Sequence, residues 1–463
     1  MFNSDDTIAA ISTPHGTGGV GIVRISGSES FNIAKKIFRG KKDFDKIKSH
    51  TINYGKIVNI EDGQIIDEVL LSKMKNPNTF TREDIIEINC HGGINVVKRV
   101  LELVLKNGAR IANPGEFTKR AFLNGRIDLS QAEAVIDIIN AKTDMSSKIA
   151  IDQLEGQLSK KLKMVREVLI DLIAHIEVTV DYPEHDIEEI TGQQVMDGLE
   201  SIKIKLKDIL KGYEKGRIIR EGIEAVIVGK PNVGKSSLLN ELTGKNRAIV
   251  TDIPGTTRDV IEEYVNIEGI PVRILDTAGI RNTNDVVEKI GVEKSKKAIA
   301  SADFIIFIID LGSGISPEDK EIIKNIEGIK SIIILNKADL VDDKTIKDIK
   351  NTLVSYEPKD IITISLKKEI GIEKIGKRIA ELFLEGEVKN EKDVLVTNVR
   401  HKILIDKALT CIEEALNSFN TKMPLDCITI DIINAADCIA MITGESVSED
   451  VMNQIFNRFC LGK

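Results

Sequence analysis

The segment Gly229-Lys-Pro-Asn-Val-Gly-Lys-Ser236 constrains the fold of this chain more than any other feature. It follows the β-branched run Ile223–Gly229 and precedes a helical pattern that begins at Lys235. A glycine-rich loop between a strand and a helix can surround phosphates with backbone N–H groups, and the helix N-terminus favours the anion. Lys235 is then expected to reach the outer phosphates, and the Ser236 hydroxyl to bind Mg²⁺. The context predicts a nucleotide-binding α/β domain.

Strand-like and helical runs alternate throughout the region that contains this loop, which predicts a doubly wound parallel sheet of Ras-like type. The strand-like runs are Ile223–Gly229, Pro271–Asp276, Phe304–Asp310, Ser331–Asn336 and Asp360–Ile364. Helical spacing occupies residues 130–180 and 193–216 before this region and 398–463 after it. We therefore expect the α/β domain, residues 218–384, to be inserted into a helical domain whose two parts, 119–217 and 385–463, pack together.

Three further elements follow the phosphate loop in the order that a GTP site needs. Asp276-Thr-Ala-Gly279 ends a strand, so its Asp can hold the Mg²⁺ shell and its Gly N–H can meet the γ-phosphate. Asn336-Lys-Ala-Asp339 ends another strand, and its carboxylate can accept N1–H and N2–H₂ of guanine, a donor pair that adenine lacks. Ser365-Leu-Lys367 can support the base. The predicted GTP-binding residues are Asn232, Val233, Gly234, Lys235, Ser236, Ser237, Thr251, Asp252, Ile253, Pro254, Gly255, Thr256, Thr257, Asp276, Thr277, Ala278, Gly279, Asn336, Lys337, Ala338, Asp339, Ser365, Leu366 and Lys367.

The residues that would promote hydrolysis are less obvious. Thr251–Thr257 lies between the phosphate loop and the Asp276 strand, which favours a switch loop with Thr257 as a second Mg²⁺ ligand. Many GTPases orient the attacking water with a Gln directly after the Asp-x-x-Gly element, but here that position is Ile280. The alternatives are Glu288 or a monovalent cation near Asn232. From the residues alone, a solvated surface charge is the better interpretation of Glu288.

The composition excludes a protein that holds nucleic acid by bulk positive charge. The chain has 463 residues and a net charge of −8, so a nucleic-acid contact needs a local basic patch or a partner. Its five Cys residues are scattered without a CxxC pair, which argues against a zinc site or disulfide framework. The N-terminus lacks a signal pattern, and no apolar run reaches the ~18 residues of a membrane span. We therefore expect a soluble, cytoplasmic protein.

Residues 1–118 have the pattern of a separate α+β domain. The short β-branched runs are Thr7–Ser12, Gly21–Ile25, Thr51–Ile60 and Gln64–Ser72. Glu61-Asp-Gly63 lies between the last two runs and predicts a hairpin turn. Ile94–Lys106 then has helical spacing, and Asn107-Gly108 is a stop signal.

Motifs along the whole chain resemble those of the MnmE (TrmE) family of tRNA-modification GTPases. Besides the nucleotide-site elements, they are Thr13-Pro-His-Gly-Thr-Gly-Gly-Val-Gly-Ile-Val-Arg24, Phe80-Thr-Arg-Glu-Asp-Ile-Ile-Glu87, Cys90-His-Gly-Gly93, Asn113-Pro-Gly-Glu-Phe-Thr-Lys-Arg-Ala-Phe-Leu-Asn-Gly125, Asp128-Leu-Ser-Gln-Ala-Glu-Ala and Ile455-Phe-Asn-Arg-Phe-Cys-Leu-Gly-Lys463. The ending is highly specific.

This resemblance implies an N-terminal tetrahydrofolate-binding and dimerisation domain, a helical domain and an inserted GTPase domain. It implies a homodimer that modifies the wobble uridine of certain tRNAs with a carboxymethylaminomethyl-type group. An FAD-dependent partner of the MnmG (GidA) type would share that work. It also implies a GTPase activated by K⁺, and a bound one-carbon carrier such as 5-formyl-tetrahydrofolate.

The resemblance also assigns roles to single residues. Asn232 matches a K⁺ ligand, and Ser236 and Thr257 match Mg²⁺ ligands. Glu288 matches a general base acting through water, which reverses the interpretation from the residues alone, and Lys235 and Thr257 would complete the catalytic set. The other K⁺ ligands would be backbone groups of Thr251, Ile253 and Thr256. The folate-contacting positions are Arg24, Glu87, Arg126 and Lys463, with Arg126 where relatives have Lys, and Cys460 is a candidate functional thiol.

Two other classes of GTPase share part of this pattern. A ribosome-assembly GTPase of the Era/Der type has the same phosphate loop and Gly-Thr-Thr-Arg-Asp segment, but it needs a basic RNA-binding appendix. Residues 388–463 are rich in Asp and Glu, which counts against it. A dynamin-like membrane remodeller needs a basic or apolar membrane tip, and we find none in the sequence.

Overall fold

The structure is a computed structural model that describes residues 6–14, 16–181, 185–246, 264–276, 302–353, 360–384, 394–421 and 423–463. The predicted switch segment Thr251–Thr257, residues 277–279 and Glu288 lie outside the described residues. Among the helices that are described, none has the length and the apolar character needed to cross a lipid bilayer.

The N-terminal part is a mixed sheet, in which seven strands are described in the order β3-β4-β5-β6-β2-β1-β7. All neighbours in this order are antiparallel except β1 and β7. The strands are β1 (Ile8–Ile11), β2 (Val20–Ser26), β3 (Phe38–Gly40), β4 (Thr51–Val58), β5 (Ile65–Met74), β6 (Ile85–His91) and β7 (Arg110–Ile111). The helices are α1 (Ser30–Ile37), α2 (Ile94–Lys106) and α3 (Glu116–Leu123).

Apolar residues repeat at every second position in the strands and at helical spacing in the helices, and this explains how the N-terminal sheet and its helices pack. In β2, Val23 and Ile25 are buried and join residues of α1 and α2 in one core, while Arg24 between them points to the opposite face. The predicted helix Ile94–Lys106 is confirmed with the same bounds. The predicted hairpin turn also lies between β4 and β5, where Gly63 adopts a φ of +69°.

The long helical region expected at residues 130–180 is divided into shorter helices. This region contains α4 (Leu129–Asn140), α5 (Asp144–Leu154) and α6 (Gln157–Asp181). Two further helices, α7 (His185–Lys211) and α8 (Tyr213–Glu221), follow before the α/β region. Asp128 and Thr143 form capping boxes that start α4 and α5, and such caps favour a new helix over continuation of the old one. Gly156, with φ of +77°, precedes α6.

The α/β region forms a second sheet, with described strands in the order β13-β12-β11-β8-β10-β9. The parallel sheet was predicted, but the antiparallel strand β9 was not. The strands are β8 (Ile223–Val228), β9 (Tyr264–Ile267), β10 (Ile270–Asp276), β11 (Phe304–Asp310), β12 (Ser331–Asn336) and β13 (Ile361–Thr363). The helices are α9 (Lys235–Asn246), α10 (Pro317–Asn325), α11 (Asp343–Thr352) and α12 (Glu373–Leu384).

Three helices follow the α/β region and pack on the helices that precede it. They are α13 (Val399–Asn420), α14 (Leu425–Thr443) and α15 (Glu449–Phe456). Leu162 and Leu169 of α6 share one buried core with Ile405 of α13 and Ile432 of α14. The α/β region is therefore inserted between two chain segments that bury the same apolar surface.

Candidate functional site

The phosphate loop lies at the carboxyl end of β8, between its neighbours β10 and β11. Chain connections that leave on both sides of one strand create a crevice at this end of a parallel sheet. Gly229 has φ of +149°, and a Cβ there would lie 2.5 Å from the carbonyl oxygen of Ile308. Gly234 has φ of +110°, and a Cβ there would lie 2.5 Å from Nδ2 of Asn336. Both positions therefore require glycine.

Lys235 begins α9 and points its side chain back over the loop. Its ammonium donates hydrogen bonds to the carbonyl oxygens of Gly229 and Lys230, the latter at 2.7 Å. Ser236 follows in the first helical turn, where backbone N–H groups have no partner within the helix. A phosphate at this position would therefore meet one ammonium and several backbone donors.

The buried side chain of Asn336 joins the phosphate loop to the Ser365–Lys367 loop. Its Nδ2 donates to the carbonyl oxygen of Val233 at 2.8 Å, and its Oδ1 accepts from the backbone N–H of Leu366 at 3.2 Å. The next residue, Lys337, donates to the carbonyl oxygen of Asn232 at 3.1 Å and pairs with Asp310 at 2.6 Å. Two adjacent residues at the end of β12 thus hold the phosphate loop in place.

A hydrogen bond from Ser365 orients the carboxylate of Asp339 as an acceptor. The Ser365 hydroxyl donates to Oδ1 of Asp339 at 2.5 Å, and this hydrogen bond holds the pKa of the Asp339 carboxyl below its usual value. The backbone N–H of Lys368 donates in turn to the Ser365 hydroxyl at 3.2 Å. Asp339 therefore presents an ionised carboxylate with a fixed orientation, which suits the N1–H and N2–H₂ donors of guanine.

The sequence did not predict one group of contacts that holds the phosphate loop. Lys230 pairs with Oδ2 of the fully buried Asp319 at 2.8 Å and donates to the hydroxyl of Ser316 at 3.0 Å. Ser316 and Asp319 form the capping box that starts α10. The Ser-Pro-x-Asp pattern was a readable helix-start signal, but its contact with Lys230 joins positions 86 residues apart.

The residues present fit a Mg²⁺ ion held largely by the nucleotide. Ser236 lies in the first turn of α9, and β10 ends at Asp276, whose backbone pairs with Ile227 of β8. Searched over the described residues, no group of three or more His, Cys, Asp and Glu could hold a metal. Mg²⁺ commonly takes one or two protein oxygens together with phosphates and water, which is the set that these positions can supply.

A second charged group forms where the chain's last residues meet the N-terminal sheet. Arg24 of β2 pairs with Glu87 of β6 at 2.8 Å and donates to the carbonyl oxygen of Gly462 at 3.2 Å. Burial lowers the pKa of Lys463, and the nearby charge of Arg24 lowers it further. Gly462 has φ of +88°, and a Cβ there would lie 2.3 Å from the carbonyl oxygen of Ile11. We call Arg24, Glu87 and Lys463 the terminal cluster.

Arg126 and Cys460 are the remaining residues that the sequence predicted for this region. The guanidinium of Arg126 lies 4.8 Å from the ring centroid of Phe80 and donates to the Phe80 carbonyl oxygen at 3.1 Å. Within the described residues, no hydrogen bond or ion pair joins Arg126 to the terminal cluster. Cys460 is exposed three residues before the end of the chain. The residues present fit an anionic ligand that also offers hydrogen-bond donors, since the cluster carries both signs of charge.

Comparison with known proteins covers nearly the whole chain. Two family models match, one described as the TrmE N-terminus over residues 7–126 and one as the MnmE helical domain over residues 129–460. A tRNA modification GTPase MnmE from Acetivibrio thermocellus is 64% identical over 459 residues, 99% of each chain. Another, from Clostridioides difficile, is 50% identical over 465 residues, again 99% of each chain.

Among solved structures, the chain is similar to an Era variant from Aquifex aeolicus bound to GDP and aluminium fluoride. That chain is 31% identical, and the match covers 41% of this chain and 66% of the Era chain with a TM-score of 0.29. The family models and the full-length relatives agree with the motifs at both ends of the sequence. The chain therefore belongs to the MnmE (TrmE) family of tRNA modification GTPases.

Proposed function

We propose that this chain is a K⁺-dependent GTPase that acts with an FAD-dependent partner of the MnmG type. Together they would place a carboxymethylaminomethyl-type group on the wobble uridine of certain tRNAs in the cytoplasm. The observation that carries the GTPase part is the joined nucleotide site, in which Asn336 ties the phosphate loop to the Ser365–Lys367 loop, and the Ser365 hydroxyl of that loop binds Asp339. The MnmE relatives, which are named tRNA modification GTPases, supply the tRNA part.

The K⁺ dependence is supported by the conformation of Asn232. This residue has φ of +62°, a conformation that Asn tolerates better than most residues. Lys337 binds its carbonyl oxygen, which leaves the side-chain amide for another partner. With Ile280 in place of a water-orienting Gln, a bound K⁺ would supply the transition-state charge, and Glu288 would act as general base through water. Ser236 and Thr257 would hold Mg²⁺.

We expect GTP turnover to require K⁺ and to stay near its cation-free level in Na⁺, because a site of amide and carbonyl oxygens selects a cation by size. The measurement is the steady-state GTPase rate of the full chain against KCl and NaCl at constant ionic strength, with light scattering to follow dimerisation. Equal turnover in the two salts would remove Asn232 from a cation site.

Two variants distinguish the role of K⁺ from the role of the general base in the same assay. Asn232→Gly keeps the positive φ without strain and keeps the carbonyl that Lys337 binds, so it removes only the amide. It should lose the K⁺ activation while it keeps nucleotide affinity. Glu288→Ala should also keep nucleotide affinity but lose most turnover at saturating K⁺. Survival of turnover in Glu288→Ala would mean that the base lies elsewhere.

The terminal cluster supports a folate-type carrier as the second ligand. We propose that Arg24, Glu87 and Lys463 contact 5-formyl-tetrahydrofolate or a related folate, with Arg126 at the edge and Cys460 as a nearby thiol. A folate carries glutamate carboxylates and a pterin that offers donors and acceptors, and a group with one carboxylate and two cations can meet both ends. The N-terminal domain, residues 1–118, would also form the homodimer.

Lys463→Ala should weaken binding of 5-formyl-tetrahydrofolate by about 10- to 100-fold, since a hydrogen bond to a charged group contributes ~1.5–3 kcal/mol. This substitution keeps the Gly462 carbonyl that Ser12 and Arg24 bind. Arg458→Ala is the matched control, because it removes an exposed cation five positions earlier. The measurement is isothermal calorimetry, and an affinity equal to that of the control would exclude Lys463 from the site.

The Era/Der-type alternative predicts a different second module. The helices after the α/β region share a core with those before it, and the MnmE helical-domain model spans both parts, residues 129–460. That arrangement favours the tRNA-modification function over the ribosome-assembly function. In the GTPase assay, stimulation by 16S ribosomal RNA but not by tRNA would favour the alternative.

A further inference from the structure

The N-terminal domain carries a dense group of positive charges that neither the nucleotide site nor the terminal cluster uses. Residues 35–48, which we call the basic segment, contain seven Lys and Arg side chains and two Asp side chains. This net charge of +5 occurs in a chain whose overall net charge is −8. The segment runs from the end of α1 through β3, the edge strand of the sheet, to the loop before β4.

Two of the seven cations are used within the protein. Arg39 donates to the carbonyl oxygens of Lys35, Lys36 and Phe38 and so completes the end of α1. Lys35 pairs with Asp45. Among the ion pairs of the described residues, none includes the other five, which are all exposed: Lys36, Lys41, Lys42, Lys46 and Lys48.

The basic segment is anchored in the core of the domain although its lysines are exposed. The rings and chains of Phe44 and Ile47 are buried in the core of the domain. Lys73 of β5 donates to the carbonyl oxygen of Phe44 at 3.2 Å and lies 4.6 Å from its ring centroid. Asp43 caps the 3₁₀ turn at Phe44–Lys46. Buried residues flank the lysines on both sides: Ile37 and Phe38 precede Lys41 and Lys42, and Phe44 and Ile47 lie next to Lys46 and Lys48.

The chemistry of this surface fits a nucleic-acid backbone better than a protein. The two aromatic rings of the segment, Phe38 and Phe44, are buried in the core of the domain, so neither is available to stack on a base. Protein interfaces are depleted in Lys and enriched in aromatic residues, which is the opposite composition. A surface that offers lysines and no aromatic rings can contact phosphates and position a nucleic acid, but it does not read the bases.

We propose that the basic segment binds the phosphate backbone of the tRNA substrate, outside the nucleotide that is modified. This inference rests on the proposed function, since it takes tRNA as the substrate. It explains how an acidic chain can approach a polyanion: the positive charge is concentrated on one edge of the N-terminal sheet. Each lysine that neutralises a phosphate releases a counterion, so binding must weaken as salt rises.

The test compares two variants that change the net charge equally. One replaces Lys41, Lys42, Lys46 and Lys48 with Gln. The control replaces Lys320, Lys324, Lys344 and Lys347 of α10 and α11, which are also exposed, with Gln. Fluorescence anisotropy of a labelled tRNA transcript with the full-length chain is measured between 50 and 200 mM KCl, as is GTP turnover without RNA.

For the basic-segment variant, we expect the slope of log K against log salt to become shallower by about 2 to 4, at ~0.7–0.9 per phosphate contact. Its affinity should fall at least about tenfold at the low-salt end, and the control should keep the unmodified slope. GTP turnover should be equal in all three proteins.

Three results would overturn the proposal. They are an unchanged slope in the basic-segment variant, an equal loss in the control, and no salt-dependent tRNA binding by the unmodified chain. Binding to anionic phosphatidylserine vesicles that depends on these lysines, while tRNA binding does not, would assign the surface to lipid instead. A separate assay of uridine modification with the flavoprotein partner tests the proposed function, so that each idea can fail without the other.

Discussion

Asp339→Asn is expected to reduce the affinity for GTP by roughly 10³-fold, because two hydrogen bonds to a charged acceptor contribute ~1.5–3 kcal/mol each. The carboxylate of Asp339 can accept both N1–H and N2–H₂ of guanine, whereas the Asn amide would direct its own N–H₂ at the guanine N2–H₂. The affinity is lost at the guanine base, so the phosphate loop and its contacts with Asn336 should remain.

The same substitution should raise the affinity for xanthosine triphosphate. Xanthine carries a carbonyl oxygen at position 2, which can accept from the Asn amide while the amide oxygen accepts from N1–H. The measurement is displacement of a fluorescent guanine nucleotide by GTP and by xanthosine triphosphate. Equal GTP affinity in the variant and the unmodified protein would show that Asp339 does not read the base.

Ser365→Ala is a control that changes the orientation of the Asp339 carboxylate but not its charge. It removes the 2.5 Å hydrogen bond to Asp339 and leaves the carboxylate. We expect a loss of about 1 kcal/mol, roughly fivefold in affinity, since the carboxylate then loses only its orienting partner. A loss as large as that of Asp339→Asn would mean that Ser365 itself contacts the nucleotide.

Glu133→Ala is expected to destabilise the helical domain by about 3–5 kcal/mol, the usual result of removing one partner of a buried ion pair. Glu133 of α4 is 7% exposed and accepts from Arg400 at 2.7 Å and from His401 at 2.6 Å, both of α13. Asn398 donates to the same carboxylate at 3.0 Å. The substitution would leave the fully buried His401 without this acceptor, and it would remove the carboxylate partner of the partly buried Arg400.

Urea unfolding followed by circular dichroism measures this loss. Asp406→Ala is the matched control, because it breaks the exposed pair that Asp406 forms with Lys402 on the same helix, and such pairs contribute only ~0.3–0.5 kcal/mol. A loss for Glu133→Ala no larger than that of the control would show that the buried group does not hold α4 to α13.

The pH dependence of unfolding provides a second measure of the same group. Burial alone would raise the pKa of Glu133, but the neighbouring His401 and Arg400 outweigh burial and hold it at about 2. A free Glu has a pKa of about 4.3. The stabilisation is therefore complete above about pH 4.3 and is lost as pH falls toward 2. Glu133→Gln should lack this component of the acid destabilisation between about pH 4.5 and 2.

Local patterns predicted the parts of the fold that depend on neighbouring residues. The helix Ile94–Lys106 was readable because its apolar positions repeat at helical spacing and Asn107-Gly108 stops it. Strand β9 was missed because its four residues, Tyr264–Ile267, carry too short a pattern and gain stability by pairing with β10. The division of residues 130–180 was also missed, although the cap at Thr143 was a readable signal.

The sequence by itself determined the nucleotide chemistry and the family of this protein, because both depend on contiguous residues such as Gly229–Ser236 and the terminal Phe-Cys-Leu-Gly-Lys463. Only the tertiary structure decided which distant groups meet at the two sites. Arg24 meets the Gly462 carbonyl across 438 positions, and Lys230 meets Asp319 through the start of α10. Contacts of this kind form when separate elements bury a common surface, and the pattern in each segment shows which face is buried but not which distant segment covers it.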